Sequence, residues 1–184
     1  FGSSLAVAGD RVLIGAPFEA SNATGVNGDG SDNSLSNAGA AYLFERDASG
    51  DYLQTAYLKA SNSASGTDNQ FGNALALSGD VLAIAAWQED SGSAGINGDQ
   101  TDTSATAAGA VYLFELTAAG SWAQIAYVKA SNPGQNHNFG AAVALDGDTL
   151  AVGAPGENTA EFGSGAVYIF TRSDTGVWSQ QAFI

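Results

Sequence analysis

The chain opens with FGSSLAVAGDRVLIGAP at residues 1–17, and two closely related stretches follow it. They are FGNALALSGDVLAIAAW at 71–87 and FGAAVALDGDTLAVGAP at 139–155. Because self-similar stretches along a chain are the mark of a repeat architecture, this repetition decides the fold class. We therefore predict one repeat domain over residues 1–184, with units at 1–70, 71–138 and a shortened third unit at 139–184.

Each unit contains four stretches that favour β-strands. Two apolar stretches, at 3–8 and 11–16 in the first unit, flank Gly9-Asp10, a pair that indicates a tight hairpin turn. The third stretch reads GAAYLFERD (39–47), GAVYLFELT (109–117) and GAVYIFTRS (165–173), and the fourth reads YLQTAYLKASN (52–62), WAQIAYVKASN (122–132) and WSQQAFI (178–184). Their period-two alternation predicts an all-β fold made of β-propeller-type blades of four antiparallel strands, with a β-sandwich or a β-solenoid as alternatives.

The paired motifs of each unit resemble the FG-GAP repeat, which forms the blades of the integrin α-subunit propeller and of many bacterial secreted proteins. Phe1-Gly2 with Gly15-Ala16-Pro17 matches both halves of the motif, as does Phe139-Gly140 with Gly153-Ala154-Pro155. The middle unit keeps Phe71-Gly72 but has Ala85-Ala86-Trp87 in the second half. The resemblance implies three FG-GAP blades, and because propellers close with about four to eight blades, these three form part of a ring.

An incomplete ring leaves strand edges and sheet faces that favour association. We expect the neighbouring blades to come either from a longer polypeptide, of which this chain is a piece, or from further copies of the chain that associate through open blade edges.

The composition excludes several classes of function. With 5 Lys plus Arg against 19 Asp plus Glu, the formal charge of −14 repels nucleic acid and anionic membrane surfaces. The absence of Cys excludes disulfides and thiolate metal sites, and the single histidine, His137, leaves little for His-based chemistry, so we interpret it as a solvated loop residue. No apolar run approaches the roughly 20 residues that a membrane-spanning helix needs, so membrane insertion is not expected.

Acidic and amide residues collect in the loops after the second strands of the first two units, VNGDGSDNS (26–34) and INGDQTDTS (96–104). The family resemblance implies no calcium site here, because the acidic loop of integrin-type repeats lies between the FG and GAP motifs, where this chain has a tight turn. Calcium prefers side-chain and carbonyl oxygens, which these loops offer. The candidate ligands are Asn27, Asp29, Ser31 and Asp32, and Asn97, Asp99, Thr101 and Asp102. The alternative is that these residues only form solvated turns.

Other side chains are assigned by comparing the three units. Phe1, Phe71 and Phe139 recur at one position, which predicts packing between blades. Trp122 and Trp178 share another position and are predicted to be structural, whereas Trp87 stands alone and is a candidate for ligand contact. Lys59 and Lys129 recur in the KASN segment, where we expect them to bind carbonyl groups or carboxylates.

These observations predict a non-enzymatic binding or structural module, secreted or at the cell surface of a bacterium. Its partner is expected to be a protein, a glycan or further copies of the chain, in adhesion, recognition or assembly into a filament or surface layer. The alternative is a polysaccharide hydrolase with paired carboxylates, which acidic residues in such number allow.

Overall fold

The computed structural model describes residues 1–63, 68–158 and 163–184 of the chain. These residues contain no α-helix, and so none long and apolar enough to cross a membrane. The strands are β1 (Ser4–Ala8), β2 (Arg11–Ala16), β3 (Ala40–Arg46), β4 (Tyr52–Leu58), β5 (Leu75–Ser78), β6 (Val81–Ala86), β7 (Ala110–Leu116), β8 (Trp122–Val128), β9 (Ala142–Asp146), β10 (Thr149–Ala154), β11 (Ala166–Arg172) and β12 (Trp178–Phe183).

The strands form three open, four-stranded antiparallel sheets, and in each sheet the strands pair in chain order. We call β1–β4 sheet 1, β5–β8 sheet 2 and β9–β12 sheet 3. A register shift between the third and fourth strands recurs in all three sheets, at Leu43/Phe44, Leu113/Phe114 and Ile169/Phe170. The predicted all-β fold, with blade-like sheets of four antiparallel strands, is confirmed.

The tight turns lie where the Gly-Asp pairs predict them. Gly9, Gly79 and Gly147 have φ angles of 58°, 55° and 53°, a region that glycine enters without the steric cost of a Cβ. In sheet 1, Ala8 pairs with Arg11 directly across the turn, so that two residues make the connection. Such a short loop fixes the register of the two strands, and hence which side chains share each face.

Neighbouring sheets pack through two unlike faces, an aliphatic one and an aromatic one. Between sheets 1 and 2, the aliphatic face of sheet 1 includes Leu13, Leu43 and Leu58, and the aromatic face of sheet 2 includes Phe71, Tyr112, Phe114 and Trp122. Between sheets 2 and 3, the same arrangement joins Val111, Leu113 and Val128 to Phe139, Tyr168, Phe170 and Trp178. Each large apolar side chain buried in this way contributes about 1.5–3 kcal/mol, so these interfaces are the core.

The chain enters sheets 2 and 3 through a Phe-Gly pair, and the backbone of that pair lies very close to the backbone of the preceding sheet. The Phe71 N–H donates to Ala38 O (3.1 Å), and the Phe139 N–H donates to Ala108 O (3.0 Å). A Cβ at Gly39 or Gly109, the next residue in each case, would overlap the backbone of Phe71 or Phe139. Glycine is therefore required there twice over, since Gly39 and Gly109 also have φ angles of 82° and 85°.

The predicted packing of the repeated phenylalanines is confirmed for two of the three. Phe71 and Phe139 are fully buried between sheets, whereas Phe1 is 73% exposed. Phe1 contacts aromatic rings of its own sheet, with its centroid 5.3 Å from that of Tyr42 and 6.3 Å from that of Phe44. The predicted structural role of Trp122 and Trp178 is also confirmed, because both are buried in the inter-sheet clusters.

We predict that Gly109→Ala destabilises the fold far more than Gly120→Ala. Both glycines have positive φ angles, 85° and 76°, so both substitutions carry backbone strain of about 1–2 kcal/mol. A Cβ at Gly120 meets nothing, whereas one at Gly109 collides with Phe139, which adds roughly 1–3 kcal/mol. Urea denaturation of both variants measures the difference, and equal losses would show that the close approach carries no stability.

Candidate functional site: the acidic loops and the polar layer beneath them

The candidate site is built from the two long loops that connect the second and third strands of sheets 1 and 2. We call residues 26–34 the first acidic loop and residues 96–104 the second acidic loop. Because the sheets repeat, both loops leave the same end of their sheets, which we call the loop rim. The tight β1–β2, β3–β4 and equivalent turns lie at the opposite end, the turn rim.

Each acidic loop is anchored to the outer strand of its own sheet. Val26 forms an antiparallel bridge with Leu58, and Ile96 forms the same bridge with Val128. Asn27 completes the anchor, because its N–H donates to Tyr57 O (2.7 Å) and its Oδ1 accepts from the Tyr57 N–H (2.9 Å). Asn97 makes the equivalent pair of bonds to Tyr127, and both asparagines have left-handed φ angles. The loops therefore cover part of an exposed strand edge.

The Asp carboxylates of each loop accept hydrogen bonds from the loop's own backbone and hydroxyl groups. Asp29 Oδ1 accepts from the Ser31 N–H (2.9 Å) and from Ser31 Oγ (2.6 Å), and Asp32 accepts in the same way from the N–H and Oγ of Ser34. In the second loop, Asp99 accepts from Thr101, and Asp102 accepts from Ser104 and from the Gly92 N–H (2.8 Å). Such side-chain-to-backbone bonds give each loop a defined shape.

These hydrogen bonds favour the charged carboxylates. Bonds from Ser31 lower the pKa of Asp29, those from Ser34 lower the pKa of Asp32, and Thr101 and Ser104 do the same for the pKa values of Asp99 and Asp102. The resulting stabilisation is present above the unfolded-state pKa of about 3.9 and is lost as the pH falls through the lower folded-state values. At neutral pH the loop rim therefore carries its full negative charge.

The structure gives the predicted cation ligands partners within the protein. The Oδ1 atoms of Asn27 and Asn97 accept from strand N–H groups, and the four Asp side chains accept from their own loops. Within the described ranges, no three His, Cys, Asp or Glu side chains are grouped closely enough to hold a metal ion. Calcium binding by these loops stays a prediction that rests on their oxygen-rich composition.

A buried ion pair lies beneath each acidic loop. Lys59 Nζ is 2.7 Å from Glu19 Oε2 and also donates to Ser21 O (2.7 Å), and Lys129 Nζ is 2.6 Å from Glu89 Oε2. Both lysines are fully buried, and burial lowers their pKa values, an effect that the paired glutamates oppose. The expectation that these lysines bind carboxylates or carbonyl groups is confirmed.

Glu89, and Glu157 at the equivalent position of the third unit, link one sheet to the next. Asn62, which follows sheet 1 in the chain, donates to Glu89 Oε1 (3.1 Å) and accepts from the hydroxyl of Tyr112 in sheet 2. One unit later, Asn132 donates to Glu157 Oε1 (3.0 Å) and accepts from Tyr168 (2.6 Å). Glu19, Glu89 and Glu157 are site residues that the sequence analysis missed. Their signal is their spacing, since each is the second residue after Pro17, Trp87 or Pro155.

All five basic side chains, each of which lies in the described part of the chain, form ion pairs. Besides the two lysines, Arg11 contacts Glu45 and Asp80 (both 2.7 Å) and lies 5.4 Å from the ring of Trp122. Arg172 reaches Glu115 on sheet 2 with two bonds (2.7 and 3.0 Å), and Arg46 lies 4.0 Å from Asp10. None of these ion pairs includes a carboxylate of residues 26–34 or 96–104, although Lys59 and Lys129 also attract the charges of Asp32 and Asp102 through space.

Trp87, the candidate for ligand contact, is half-buried at the loop rim. Its indole Nε1 donates to Gln70 Oε1 (2.9 Å), and its backbone N–H donates to Asn73 Oδ1 (3.1 Å). The ring is thus held against the connection between sheets 1 and 2. The side chain is only partly exposed, and a ligand role for Trp87 stays a prediction.

The interpretation of His137 as a solvated residue is wrong. His137 is 8% exposed, and its imidazole packs against Gly134, where a Cβ would overlap the ring. Its backbone carbonyl accepts from the Gly156 N–H (3.1 Å) and so joins the connection between sheets 2 and 3 to the end of β10. The neighbouring residues Gln135, Asn136 and Asn138 are polar, which hides this tertiary contact from sequence analysis.

A family model described as the FG-GAP repeat matches residues 122–170. Residues 122–170 are therefore identified as an FG-GAP repeat. The match begins at Trp122, the first residue of β8, and ends at Phe170 in β11, so the family's repeat joins the last strand of one sheet to the first three strands of the next. A search of the curated proteins finds no match. The predicted resemblance is confirmed over these residues. The stretches at residues 1–17 and 71–87 are similar to residues 139–155 inside the match, except that Ala85-Ala86-Trp87 stands where the other two stretches have Gly-Ala-Pro.

We predict that Glu89→Ala destabilises the protein strongly. The substitution leaves Lys129 buried without its counter-charge, and breaking a buried ion pair from one side costs about 3–5 kcal/mol. Arg46→Ala is the control, because that pair is exposed and long, and its loss costs at most about 1 kcal/mol. Urea denaturation compares the two. Replacing both members, as Glu89→Leu with Lys129→Met, is expected to recover part of the loss, and similar costs for Glu89→Ala and Arg46→Ala would contradict this account.

The calcium prediction is tested by thermal unfolding. A cation that binds the native loops raises the melting temperature, because binding to the folded state alone stabilises it. Millimolar calcium is therefore expected to raise the melting temperature of the wild-type chain, and the rise should disappear in Asp29→Asn with Asp99→Asn. Magnesium serves as the comparison ion, since it accommodates irregular oxygen ligands less readily. An unchanged melting temperature in calcium would mean that these loops bind no calcium and that their acidic and amide residues form turns.

Proposed function

We propose that this protein is a non-enzymatic binding and structural module that acts outside the cell or at the bacterial cell surface. Its FG-GAP sheets provide a scaffold, and the loop rim recognises a partner, which is a protein surface or a glycan that bears basic groups. Loops positioned by a rigid scaffold are the usual place for recognition, and the two longest described loops of this chain lie on one rim.

One observation carries the proposal: the same hydrogen-bonded acidic loop occurs on the same rim of two neighbouring sheets. Asp29 and Asp99 occupy equivalent exposed positions, and each accepts from the residue two positions later. Paired negative sites favour a partner with basic groups and speed its approach by electrostatic steering.

The anchoring of the loops supports recognition further. A loop that is ordered before binding loses less conformational entropy when a partner docks, which favours affinity. The bridges at Val26 and Ile96 fix one side of the two loops, and Ser21 and Ser91 fix the other side by donating to Asp29 O (2.8 Å) and Asp99 O (2.9 Å). Recognition therefore needs no folding of the loops on binding.

We predict that removing the charges of the acidic loops weakens binding to a basic ligand at least tenfold. The variant is Asp29→Asn, Asp32→Asn, Asp99→Asn and Asp102→Asn, and the probes are an oligolysine peptide and a glycan array that includes amino sugars. The weakening should appear in the association rate and should shrink as salt is added, because rim charges act mainly by steering.

A control variant removes the same number of carboxylates from the turn rim, as Asp10→Asn, Asp47→Asn, Asp148→Asn and Asp174→Asn. If it weakens binding as much as the loop variant, net charge rather than the loop rim determines recognition, and the proposal fails. Glycan cleavage is measured in parallel on the same array. Turnover that a single Asp or Glu substitution abolishes would replace the binding module with a hydrolase.

A further inference from the structure

The loop rim holds a concavity between the connections that lead into and out of sheet 2, which we call the rim pocket. Its volume is about 290 Å³, and it is lined by Asp68, Gln88, Asp90, Thr106, Ala107 and Asn136. Asp68 belongs to the connection before sheet 2, Asn136 to the connection after it, and the others to the two ends of the loop between β6 and β7. Because pockets for small ligands have volumes of about 300–1,000 Å³, the rim pocket suits a single ring.

The lining of the rim pocket departs from the repeat. Three of its positions on sheet 2 differ in chemistry from their equivalents in the first unit, with Gln88 for Phe18, Asp90 for Ala20 and Ala107 for Asn37. A residue that the shared fold requires recurs in every unit, as the glycine before each third strand does. Three differences around one concavity therefore indicate that this place is specialised in the second unit.

The change to alanine leaves the rim pocket open. In sheet 1, Asn37 Nδ2 donates to Asp68 Oδ1 (2.6 Å) and so bridges the loop to the next connection. Ala107 has no side-chain amide with which to reach Asn136, the equivalent of Asp68 one unit later. Ala107 nevertheless has a left-handed φ of 53°, close to the 56° of Asn37, in a region that asparagine adopts more readily than alanine. The second unit thus carries backbone strain beside this space.

Two carboxylates of the rim pocket have no ion-pair partner in the described part of the chain. Asp68 Oδ1 accepts from Asn37, and Asp90 Oδ1 accepts from the Ala107 N–H (2.9 Å), while the second oxygen of each has no hydrogen-bond partner among the described residues. The five basic side chains are paired with other carboxylates, and Lys129 attracts the charge of Asp90 only through space. The rim pocket therefore favours a ligand with a positive charge.

The neutral side chains of the rim pocket are suited to hydroxyl groups. Gln88 Oε1 accepts from Gln70 Nε2 (2.9 Å), so the Gln88 amide has N–H groups left to donate. The exposed Thr106 hydroxyl and Asn136 amide both donate and accept. A sugar ring, which has hydroxyl groups on every side, matches this lining. A lysine side chain matches it less well, because its methylene stem packs on apolar surface and only Ala107 provides any.

We propose that the rim pocket binds one amino-sugar residue of a glycan. The carboxylates of Asp68 and Asp90 attract its ammonium group, and Gln88, Thr106 and Asn136 bind its hydroxyl groups. This assignment rests on the proposed function, since it narrows the partner of the loop rim to a glycan and gives that glycan a site. The acidic loops steer the glycan toward the rim, and the rim pocket holds it.

The test is isothermal titration calorimetry of the 184-residue chain with a glucosamine tetramer, its N-acetylated counterpart and oligolysine. Wild type should bind the free-amine tetramer at least about tenfold more tightly than the N-acetylated one, because acetylation removes the positive charge. Asp68→Asn with Asp90→Asn keeps the accepting oxygens and removes both charges, so it should abolish this preference. Asp10→Asn with Asp148→Asn, which removes two carboxylates from the turn rim, is the matched control and should keep it.

A second variant, Ala107→Asn, fills the rim pocket without changing its charge. It gives sheet 2 the side chain that Asn37 has in sheet 1, and asparagine relieves the strain of the left-handed φ, so the melting temperature should not fall. The variant should bind the free-amine tetramer at least about tenfold more weakly, because the added side chain takes the space of the ring. Binding of oligolysine should stay unchanged.

Three results would overturn the assignment. If Ala107→Asn weakens oligolysine binding as much as tetramer binding, the rim pocket takes a lysine side chain rather than a sugar. If the tetramer does not bind wild type, or binds both pocket variants as it binds wild type, the rim pocket is not a glycan site. The proposed function survives these last results as long as neutralising the aspartates of the acidic loops still weakens oligolysine binding, and if that binding is also unaffected, both proposals fail.

Discussion

The structure depends on one repeated backbone contact. In it, the Phe-Gly pair that begins sheet 2 or sheet 3 lies against the glycine just before the third strand of the preceding sheet. There the backbones approach so closely that neither Gly39 nor Gly109 could carry a side chain, and the following sheet is held by a backbone hydrogen bond from Phe71 or Phe139. This fixes the distance between sheets, and the phenylalanine ring then fills the space between the aliphatic and aromatic faces. Repetition of the contact places the acidic loops on one rim.

The polar layer beneath the loops has a different role from the apolar interfaces. Burying a lysine and a glutamate costs desolvation energy that their attraction offsets only with good geometry, so such a pair contributes more to position than to net stability. In this protein the glutamate of the pair positions three groups. Glu89 binds Lys129 of its own sheet, Asn62 from the connection that precedes the sheet, and the backbone N–H of Ser91. One carboxylate thereby joins two sheets to the base of the second acidic loop.

Repetition made much of the fold predictable from the sequence. Strands, tight turns and the packing of Phe71 and Phe139 follow from local pattern, since alternation and glycine act within a few residues. The functional region was less accessible. The candidate ligands in both loops were identified from composition, but the bonds of Asn27 and Asn97 to the outer strands join residues 30 positions apart. Glu19 and Glu89 were missed because their partners Lys59 and Lys129 lie 40 positions along the chain, although the regular position of the glutamates could have revealed them. His137 was misassigned because its burial depends on how the connection between sheets 2 and 3 folds back on itself and on the end of β10.

The third unit shows what the acidic loops add to a bare sheet. Tyr57 and Tyr127, on the outer strands beneath the loops, are 6% and 0% exposed, whereas Phe183, the equivalent residue of the shortened unit, is 46% exposed. A long loop thus covers the outer strand and carries charge on its far side, so one insertion both protects an edge and forms the surface for which we propose recognition. Sheets 1 and 2 have this loop, whereas sheet 3 has a shorter connection between its second and third strands, so the covered edge and the paired charges belong to the first two sheets.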